Sequence, residues 1–137
     1  GYSSSGFTDM PMNHKVFLAQ FDAIKKLASE GPCVMVGRCA DYALSEYKDC
    51  FSVFVHADTD WRINRLSQKH NKTAKEAKDM INKTDKSRSS YYNYYTNKKW
   101  GAASSYNLCV DSSKLGIDGA AKAIIQAIEI FDSIKNK

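Results

Sequence analysis

Residues 51–66 read FSVFVHADTDWRINRL, and this stretch decides the fold. Its first seven residues form a short apolar run with β-branched and aromatic side chains, which is typical of a buried strand. The segment 59–70 follows with a Thr cap and apolar residues at helical spacing. A strand that leads directly into a helix predicts one repeating unit of a parallel sheet.

Two further apolar runs, CVMVG at 33–37 and YNLCVDS at 106–112, predict two more strands. Helices are predicted from Asn13 up to the Gly31–Pro32 pair and over 73–88, where Thr73 and Glu76 form the capping-box pattern. A closing helix is predicted to bury a single apolar face. That face consists of Ile117, Ala121, Ile124, Ile125, Ile128 and Phe131. Strands separated by helices predict an α/β fold with a parallel sheet.

The composition is that of an ordinary globular protein. Hydrophobic residues make up 43% and charged residues 26% of the 137 residues, a length that suits one domain over residues 1–137. No apolar run approaches the roughly 20 residues of a membrane span, so no membrane partner is expected. The formal charge of +5 favours an anionic partner only slightly, because surplus lysines also occur on solvated surfaces.

The cysteines and histidines follow no metal-site spacing. Cys33, Cys39, Cys50 and Cys109 contain no C-x-x-C pair, and His14, His56 and His70 are scattered. Free thiols in apolar runs behave as small hydrophobes. We therefore expect a reducing, cytoplasmic location and no structural metal.

The first eight residues, GYSSSGFT, partly match the phosphate-binding template G-x-x-x-x-G-K-[ST]. Phe7 stands where the template has its lysine. Pro11 disfavours helix at Met10, so the helix that would face the phosphates is not expected there. The stretch is predicted to be a Gly/Ser-rich surface loop.

Basic, acidic and hydroxyl side chains follow all three predicted strands, and ligands of parallel sheets bind beyond the strands' carboxyl ends. The residues are Arg38 and Asp41, then Asp58, Asp60, Arg62 and Arg65, then Ser112, Ser113 and Lys114. One charge at a strand end is usually a surface charge. Several at one edge favour a binding site.

Four stretches carry a resemblance to a known family: GPCVMVGRCADY, FSVFVHADTDWRINRL, DKSRSSYYNYYTNKKWG and YNLCVDSSKLGIDGA. They resemble the later part of the cytidylate-kinase-like family, among the P-loop nucleoside monophosphate kinases. The resemblance covers residues 13–134, and VGRCADY and YYNYYTNKKWG are its most specific pieces.

The resemblance implies a three-layer parallel sheet of the P-loop kinase type that is incomplete here. GYSSSGFT matches a mid-chain loop of the family, so the chain is expected to be a partial kinase domain that lacks the P-loop strand. Residues 58–100 would form a helical lid. The missing strand would lie between 33–37 and 51–57, so an associated N-terminal fragment or a second copy of the chain is expected to fill the gap.

The resemblance also implies roles for individual residues. Arg65 and Arg88 would be catalytic, Gly37, Arg38, Asp41 and Asp85 would bind the substrate, and Arg62, Ser112, Ser113 and Leu115 would bind the cofactor. Asp41 departs from the family pattern, where a neighbouring Asp comes sooner. Each role has a structural alternative: an exposed salt bridge for the charged residues and a helix-capping turn for the serines.

The function implied is phosphoryl transfer from ATP, with Mg²⁺, to a nucleoside monophosphate such as CMP, and the chain alone is expected to be inactive. The alternative is a noncatalytic phosphate- or nucleotide-binding regulatory module. The aromatic and lysine residues of 91–100 could stack nucleic-acid bases. Such residues more often anchor a helix on the core, so nucleic acid is not the expected partner.

Overall fold

A computed structural model describes residues 3–135, with side chains from residue 14 onward. The chain divides into two compact units, Gly1–Cys50 and Phe51–Lys137. The helices are α1 (Ser3–Glu30), α2 (Ala40–Ala43), α3 (Thr59–His70), α4 (Ala74–Thr96) and α5 (Ser112–Lys135), and the strands are β1 (Val53–His56) and β2 (Leu108–Asp111). No helix within residues 3–135 has the length and apolar character needed to cross a membrane.

The first unit is built from α1 packed on the short helix α2. Phe17 and Ile24, which lie two helical turns apart on α1, are both buried. The Tyr42 ring of α2 lies 6.5 Å from the Phe17 ring and 6.0 Å from the Phe21 ring, measured between centroids. Ile24 joins the small core formed by Ala40, Ala43 and Leu44.

The predicted loop at the start of the chain is wrong for the described residues. Helix α1 begins at Ser3 and continues through Pro11, while residues 1–2 lie outside the described part. Proline costs a helix one backbone hydrogen bond, but the flanking turns continue here on both sides of it. The Gly6–Thr8 stretch is therefore helical, without the loop that a phosphate cradle requires.

The predicted strand at 33–37 is also wrong. The segment has no strand pairing, and Val34 and Val36 are 94% and 89% exposed. Met35 alone of the three central residues packs against the α1–α2 core. β-branched residues favour strands only when a neighbouring strand supplies hydrogen bonds and packing, and none does so within the described residues.

The second unit contains the sheet. Strands β1 and β2 pair in parallel, with Val53 opposite Leu108 and His56 opposite Asp111, as the sequence predicts. Just before the pair, the Ser52 backbone N–H donates to Asn107 Oδ1 at 2.8 Å, which fixes the register. Within residues 3–135 the sheet has these two strands, so the three-stranded sheet is not formed and the three-layer arrangement is not established.

An aromatic cluster covers one face of β1. The Phe54 ring stacks on Tyr106 at 4.9 Å and meets the edge of Trp100 at 5.1 Å. Tyr92, buried in α4, stacks on Tyr106 at 5.9 Å. Two aromatics of the 91–100 run thus join the end of α4 to the sheet, which confirms the anchoring interpretation for them.

Helices α3 and α4 come after β1 and before β2 in the chain, and they pack against each other as a hairpin. Helix α3 is capped by the Asp58 carboxylate and not, as predicted, by Thr59, because Asp58 accepts from the Trp61 N–H at 3.4 Å. The predicted capping box of α4 is confirmed: Thr73 Oγ1 accepts from the Glu76 N–H and the Glu76 carboxylate accepts from the Thr73 N–H. Ala77 is buried in the hairpin one turn after this cap.

Helix α5 has a break near its start at Gly116, whose φ of 74° and ψ of 170° suit only glycine at low cost. The main helix follows this break. The prediction of one buried apolar face is only partly right, because Ile124 and Phe131 are half-buried whereas Ile117 and Ile125 are about half exposed. The apolar arc of α5 is wider than the surface that the two strands cover.

Candidate functional site

A cleft of about 400 Å³ lies at the carboxyl edge of the two-stranded sheet. Since β1 and β2 are parallel and His56 is opposite Asp111, both strands end at this edge. Ligands of parallel sheets bind at such edges, and this volume falls in the usual range for small-molecule sites. The lining residues are His56, Ala57, Asp58, Trp61, Asp111, Ser113 and Lys114.

Two serines hold the edge of the cleft together. Ser112 Oγ donates to the His56 carbonyl at 3.1 Å, linking the end of β2 to the end of β1. Ser113 Oγ accepts from the Asp58 N–H at 3.0 Å and donates to Asp111 Oδ1. The Ser113 hydroxyl therefore positions two of the carboxylate residues that line the cleft.

The cleft carries both signs of charge. Hydrogen bonding from the Ser113 hydroxyl, more than any other cause, lowers the pKa of Asp111, so its carboxylate stays ionised and accepts hydrogen bonds throughout the neutral range. Asp58 adds a second carboxylate, and Lys114 adds a cation beside them. This arrangement suits a ligand that has hydrogen-bond donors on one part and negative charge on another.

The two predicted arginines of α3 have different partners. The Arg65 guanidinium lies 5.6 Å from the centroid of the Trp61 indole, which lines the cleft. Arg62 instead makes a bidentate pair with Asp85 of α4, at 2.7 and 2.8 Å. These hydrogen bonds raise the pKa of the Arg62 guanidinium. The structure thus brings Arg65 beside the cleft and joins Arg62 to the neighbouring helix.

Three other predicted residues do not line the cleft. Arg88 is exposed on α4, three residues after Asp85. Leu115 is 51% exposed in the first turn of α5 and lies next to Lys114 in the chain. Ser112 also lies outside the lining set, and its buried hydroxyl has the structural contact described above.

The remaining predicted residues, Gly37, Arg38 and Asp41, lie in the first unit. Gly37, Arg38 and Cys39 have consecutive positive φ angles of 72°, 58° and 55°. For a residue with a Cβ atom this conformation costs about 1–2 kcal/mol. Arg38 is exposed at this turn, directly before α2. Strain of this kind persists where the surrounding structure requires it, and it is frequent at functional sites.

Sequence reasoning missed four lining residues: Ala57, and the three with polar or aromatic side chains, His56, Trp61 and Asp111. It considered only the residues that follow each strand, whereas His56 and Asp111 are the last residues of β1 and β2. Trp61 was hidden inside a helical pattern. The parallel pairing itself is the signal that could have identified His56 and Asp111, because it places both strand ends together.

No group of three or more potential metal ligands occurs among the described residues. Mg²⁺ in kinases is held largely by the nucleotide's own phosphates with one or two carboxylates. The cleft offers Asp58 and Asp111 as carboxylates of that kind.

Comparisons with known proteins agree with this architecture. The sequence profile of the cytidylate kinase-like family matches residues 1–114. The crystal structure of an uncharacterized protein from Eubacterium ventriosum ATCC 27560 is 33% identical, with a TM-score of 0.82, and the match covers 85% of this chain and 74% of that one. No curated protein matches the chain. The chain belongs to the cytidylate kinase-like family.

Proposed function

We propose that this chain takes part in phosphoryl transfer from ATP to a nucleoside monophosphate, with CMP as the first acceptor to test. The observation that supports this most is the cleft at the carboxyl edge of the sheet, with Arg65 beside it, in a member of a kinase-like family. We also propose the cytoplasm as the site of action.

In this proposal the cleft receives the donor nucleotide, bordered by Ser112, Ser113 and Leu115 and approached by Arg62. Arg65 and Arg88 neutralise charge on the transferring phosphoryl group. The acceptor is held by Gly37 and Arg38 of the first unit, with Asp41 as a further contact, and Asp85 of the second unit is proposed separately as a residue that contacts the substrate. The residues around the cleft belong to the second unit, and Gly37, Arg38 and Asp41 belong to the first unit. Each group is proposed on its own residues.

The chemistry requires positioning and charge stabilisation more than covalent catalysis. An oxygen of the acceptor phosphate attacks the γ-phosphorus of ATP, the bond to the bridging oxygen breaks, and ADP leaves. Mg²⁺, brought by the ATP phosphates, supplies charge neutralisation when it is bound. Arginines suit the remaining charge because their planar forks bond two phosphate oxygens at once. Loss of one such donor typically costs about a hundredfold in rate.

We expect the 137 residues to bind nucleotides without turning them over. The sequence contains no glycine-rich loop with the lysine that cradles the β- and γ-phosphates, since Phe7 occupies that place in the nearest match. An associated polypeptide that carries such a loop would supply the cradle. A second copy of the chain could bury exposed apolar surface, but it would not supply the lysine.

A noncatalytic nucleotide-binding module is the second candidate. One observation favours it: the guanidinium of Arg62 is already engaged by Asp85. Such a module would bind the same nucleotides through the same residues. It differs from the kinase in never transferring phosphate, whatever polypeptide accompanies it.

Binding is tested first, by titrating the ¹⁵N-labelled chain with CMP and with ATP. We expect CMP to shift the amide signals of residues 37–41 and ATP to shift those of the cleft. Arg38→Ala should abolish the CMP shifts, whereas Lys48→Ala, which changes another exposed cation of the first unit, should not. Absence of shifts with either nucleotide at millimolar concentration would overturn the proposal.

Transfer is tested with γ-³²P-labelled ATP and CMP. The 137-residue chain should produce no labelled CDP. A longer product of the same gene that carries a glycine-rich loop should produce it, and should lose that activity with Arg65→Ala. Binding without transfer in such a longer product would favour the noncatalytic module.

A further inference from the structure

The cleft has an aromatic wall that none of the predicted roles uses. Trp61 lines the cleft from the first turn of α3 and is half-buried. Its indole is the largest flat apolar surface among the lining residues. The others carry a charge, a hydroxyl or a methyl group, and His56 carries an imidazole.

The position of this wall is fixed by the start of the helix. The Trp61 N–H donates to the Asp58 carboxylate, and the Arg62 N–H donates to the Asp58 carbonyl at 3.0 Å. Asp58 is in turn held by the Ser113 hydroxyl. The backbone that bears the indole is therefore joined by hydrogen bonds to the turn that follows β2, on the other side of the cleft.

A cation lies against the indole. The Arg65 guanidinium is 5.6 Å from the ring centroid, within the range of a cation–π interaction. Arg65 is one helical turn from Trp61, so both side chains are presented on the same side of α3. Because the guanidinium lies over one face of the indole, a ligand base stacks on the other face or displaces Arg65 from the ring.

We propose that Trp61 stacks against the base of the phosphoryl donor and makes the cleft select a purine nucleotide. This inference rests on the proposed function, which already places the donor nucleotide in the cleft. A purine overlaps an indole more fully than a pyrimidine does, so stacking favours ATP over CTP.

Fluorescence can report on Trp61 directly, because the sequence contains only one other tryptophan, Trp100, which can be replaced. Trp61 lines the cleft, whereas Trp100 packs edge-on against Phe54 in the aromatic cluster. In a Trp100→Phe variant the indole fluorescence comes from Trp61 alone. Stacking of a base on that indole should quench the emission.

The Trp100→Phe chain is titrated with ATP, CTP and inorganic tripolyphosphate, indole emission is excited at the red edge of its absorption band, and each reading is corrected for the light that the nucleotide itself absorbs. We expect saturable quenching by ATP, weaker quenching by CTP at equal concentration, and none by tripolyphosphate. Equal responses to ATP and tripolyphosphate would overturn the proposal, because they would show that phosphate and not the base affects Trp61.

Two substitutions at Trp61 complete the test, with ATP affinity measured by calorimetry in the otherwise unchanged chain. Trp61→Leu should weaken ATP binding about five- to a hundredfold, the range reported for loss of one base–aromatic stack, and remove the preference over CTP. Trp61→Phe, which keeps an aromatic ring, should retain most of the ATP affinity and most of the preference over CTP. Circular dichroism confirms folding of each variant. Unchanged ATP affinity in folded Trp61→Leu would overturn the inference.

These measurements separate the inference from the proposed function. ATP could bind with quenching while every longer product of the gene fails to transfer phosphate. In that case the stacking proposal holds and the kinase proposal fails. If phosphate is transferred and Trp61→Leu leaves the ATP and CTP affinities unchanged, the kinase proposal holds and the stacking proposal fails.

Discussion

Two apolar runs of similar character have opposite fates in this protein. The run 51–57 forms β1 and pairs with β2, whose Val110 is only 4% exposed. The run 33–37 forms no strand, and its Val34 and Val36 are 94% and 89% exposed. Both runs contain valines at alternate positions. The difference shows that a strand requires a partner strand as well as the right residues.

The largest expected effect comes from placing a charge in each region. Val110→Asp should destabilise the second unit by at least about 3 kcal/mol, because it buries an unpaired carboxylate. Val34→Asp should change stability by less than about 0.5 kcal/mol, since the side chain is exposed. Urea denaturation measures both values. If Val34→Asp destabilises the chain strongly, the 33–37 run is covered in solution.

A smaller effect is expected from the ion pair between Arg62 and Asp85, which joins α3 to α4. Asp85→Asn should destabilise the protein by about 1–2 kcal/mol, because it removes a bidentate, charge-assisted pair with half-buried Arg62 that is still partly screened by solvent. The matched control is Asp79→Asn, an exposed acid on the same helix. Equal urea midpoints for the two variants would show that the pair contributes nothing.

The cap of α4 tests partnership within a single turn. Thr73→Ala removes the hydroxyl that accepts from the Glu76 N–H and should cost about 1 kcal/mol. Thr84→Ala, at an exposed position in the interior of the same helix, should be neutral or slightly stabilising. Thermal denaturation followed by circular dichroism compares the two. A Thr73→Ala variant as stable as Thr84→Ala would contradict the capping role.

The smallest effect concerns two cysteines of the first unit. Burial, with a lesser contribution from Asp41, raises the pKa of the Cys39 thiol to about 11, whereas Cys33 is exposed in the unpaired run. Iodoacetamide at pH 8 should therefore modify Cys33 well before Cys39, as read by peptide mass spectrometry.

The raised pKa also determines the direction of a pH effect. The folded first unit favours the protonated thiol, so this contribution to stability is complete below the ordinary pKa of 9.0 and is lost as pH rises towards about 11. A Cys39→Ser variant should show a smaller alkaline decline, and what remains includes the contribution of Cys50, whose pKa burial also raises. Alkylation of Cys39 as fast as Cys33 in the folded chain would contradict the burial of its thiol.

Local signals predicted much of the fold. The buried positions of α1, the capping box at Thr73 and the parallel pairing of β1 with β2 all follow from spacing and residue type. The strand at 33–37 could not be judged in this way, because strand formation depends on a neighbour that the local pattern does not specify. The same holds for α5, where Ile125 lies on the predicted apolar face and is exposed.

The candidate site was predicted in outline and missed in its details. Residues that follow strands were anticipated, and Ser113 and Lys114 do line the cleft. The hydroxyl of Ser113 bonds to Asp111 two residues before it and to the Asp58 N–H at the end of the other strand, and this second contact leaves no trace in sequence spacing. Trp61 fits the helical pattern of α3, so only the folded arrangement reveals that it lines the cleft.

The bidentate pair between Arg62 and Asp85 has a mechanical consequence. Two parallel hydrogen bonds from one guanidinium to one carboxylate resist both sliding and rotation of α3 against α4, so the two helices are held as one unit. The far end of α4 is attached to the sheet by Tyr92 and Trp100 through the aromatic cluster. The hairpin is thus attached to the sheet region at two places, the turn around Asp58 that lines the cleft and the aromatic cluster after α4, so the wall of the cleft is held from both ends.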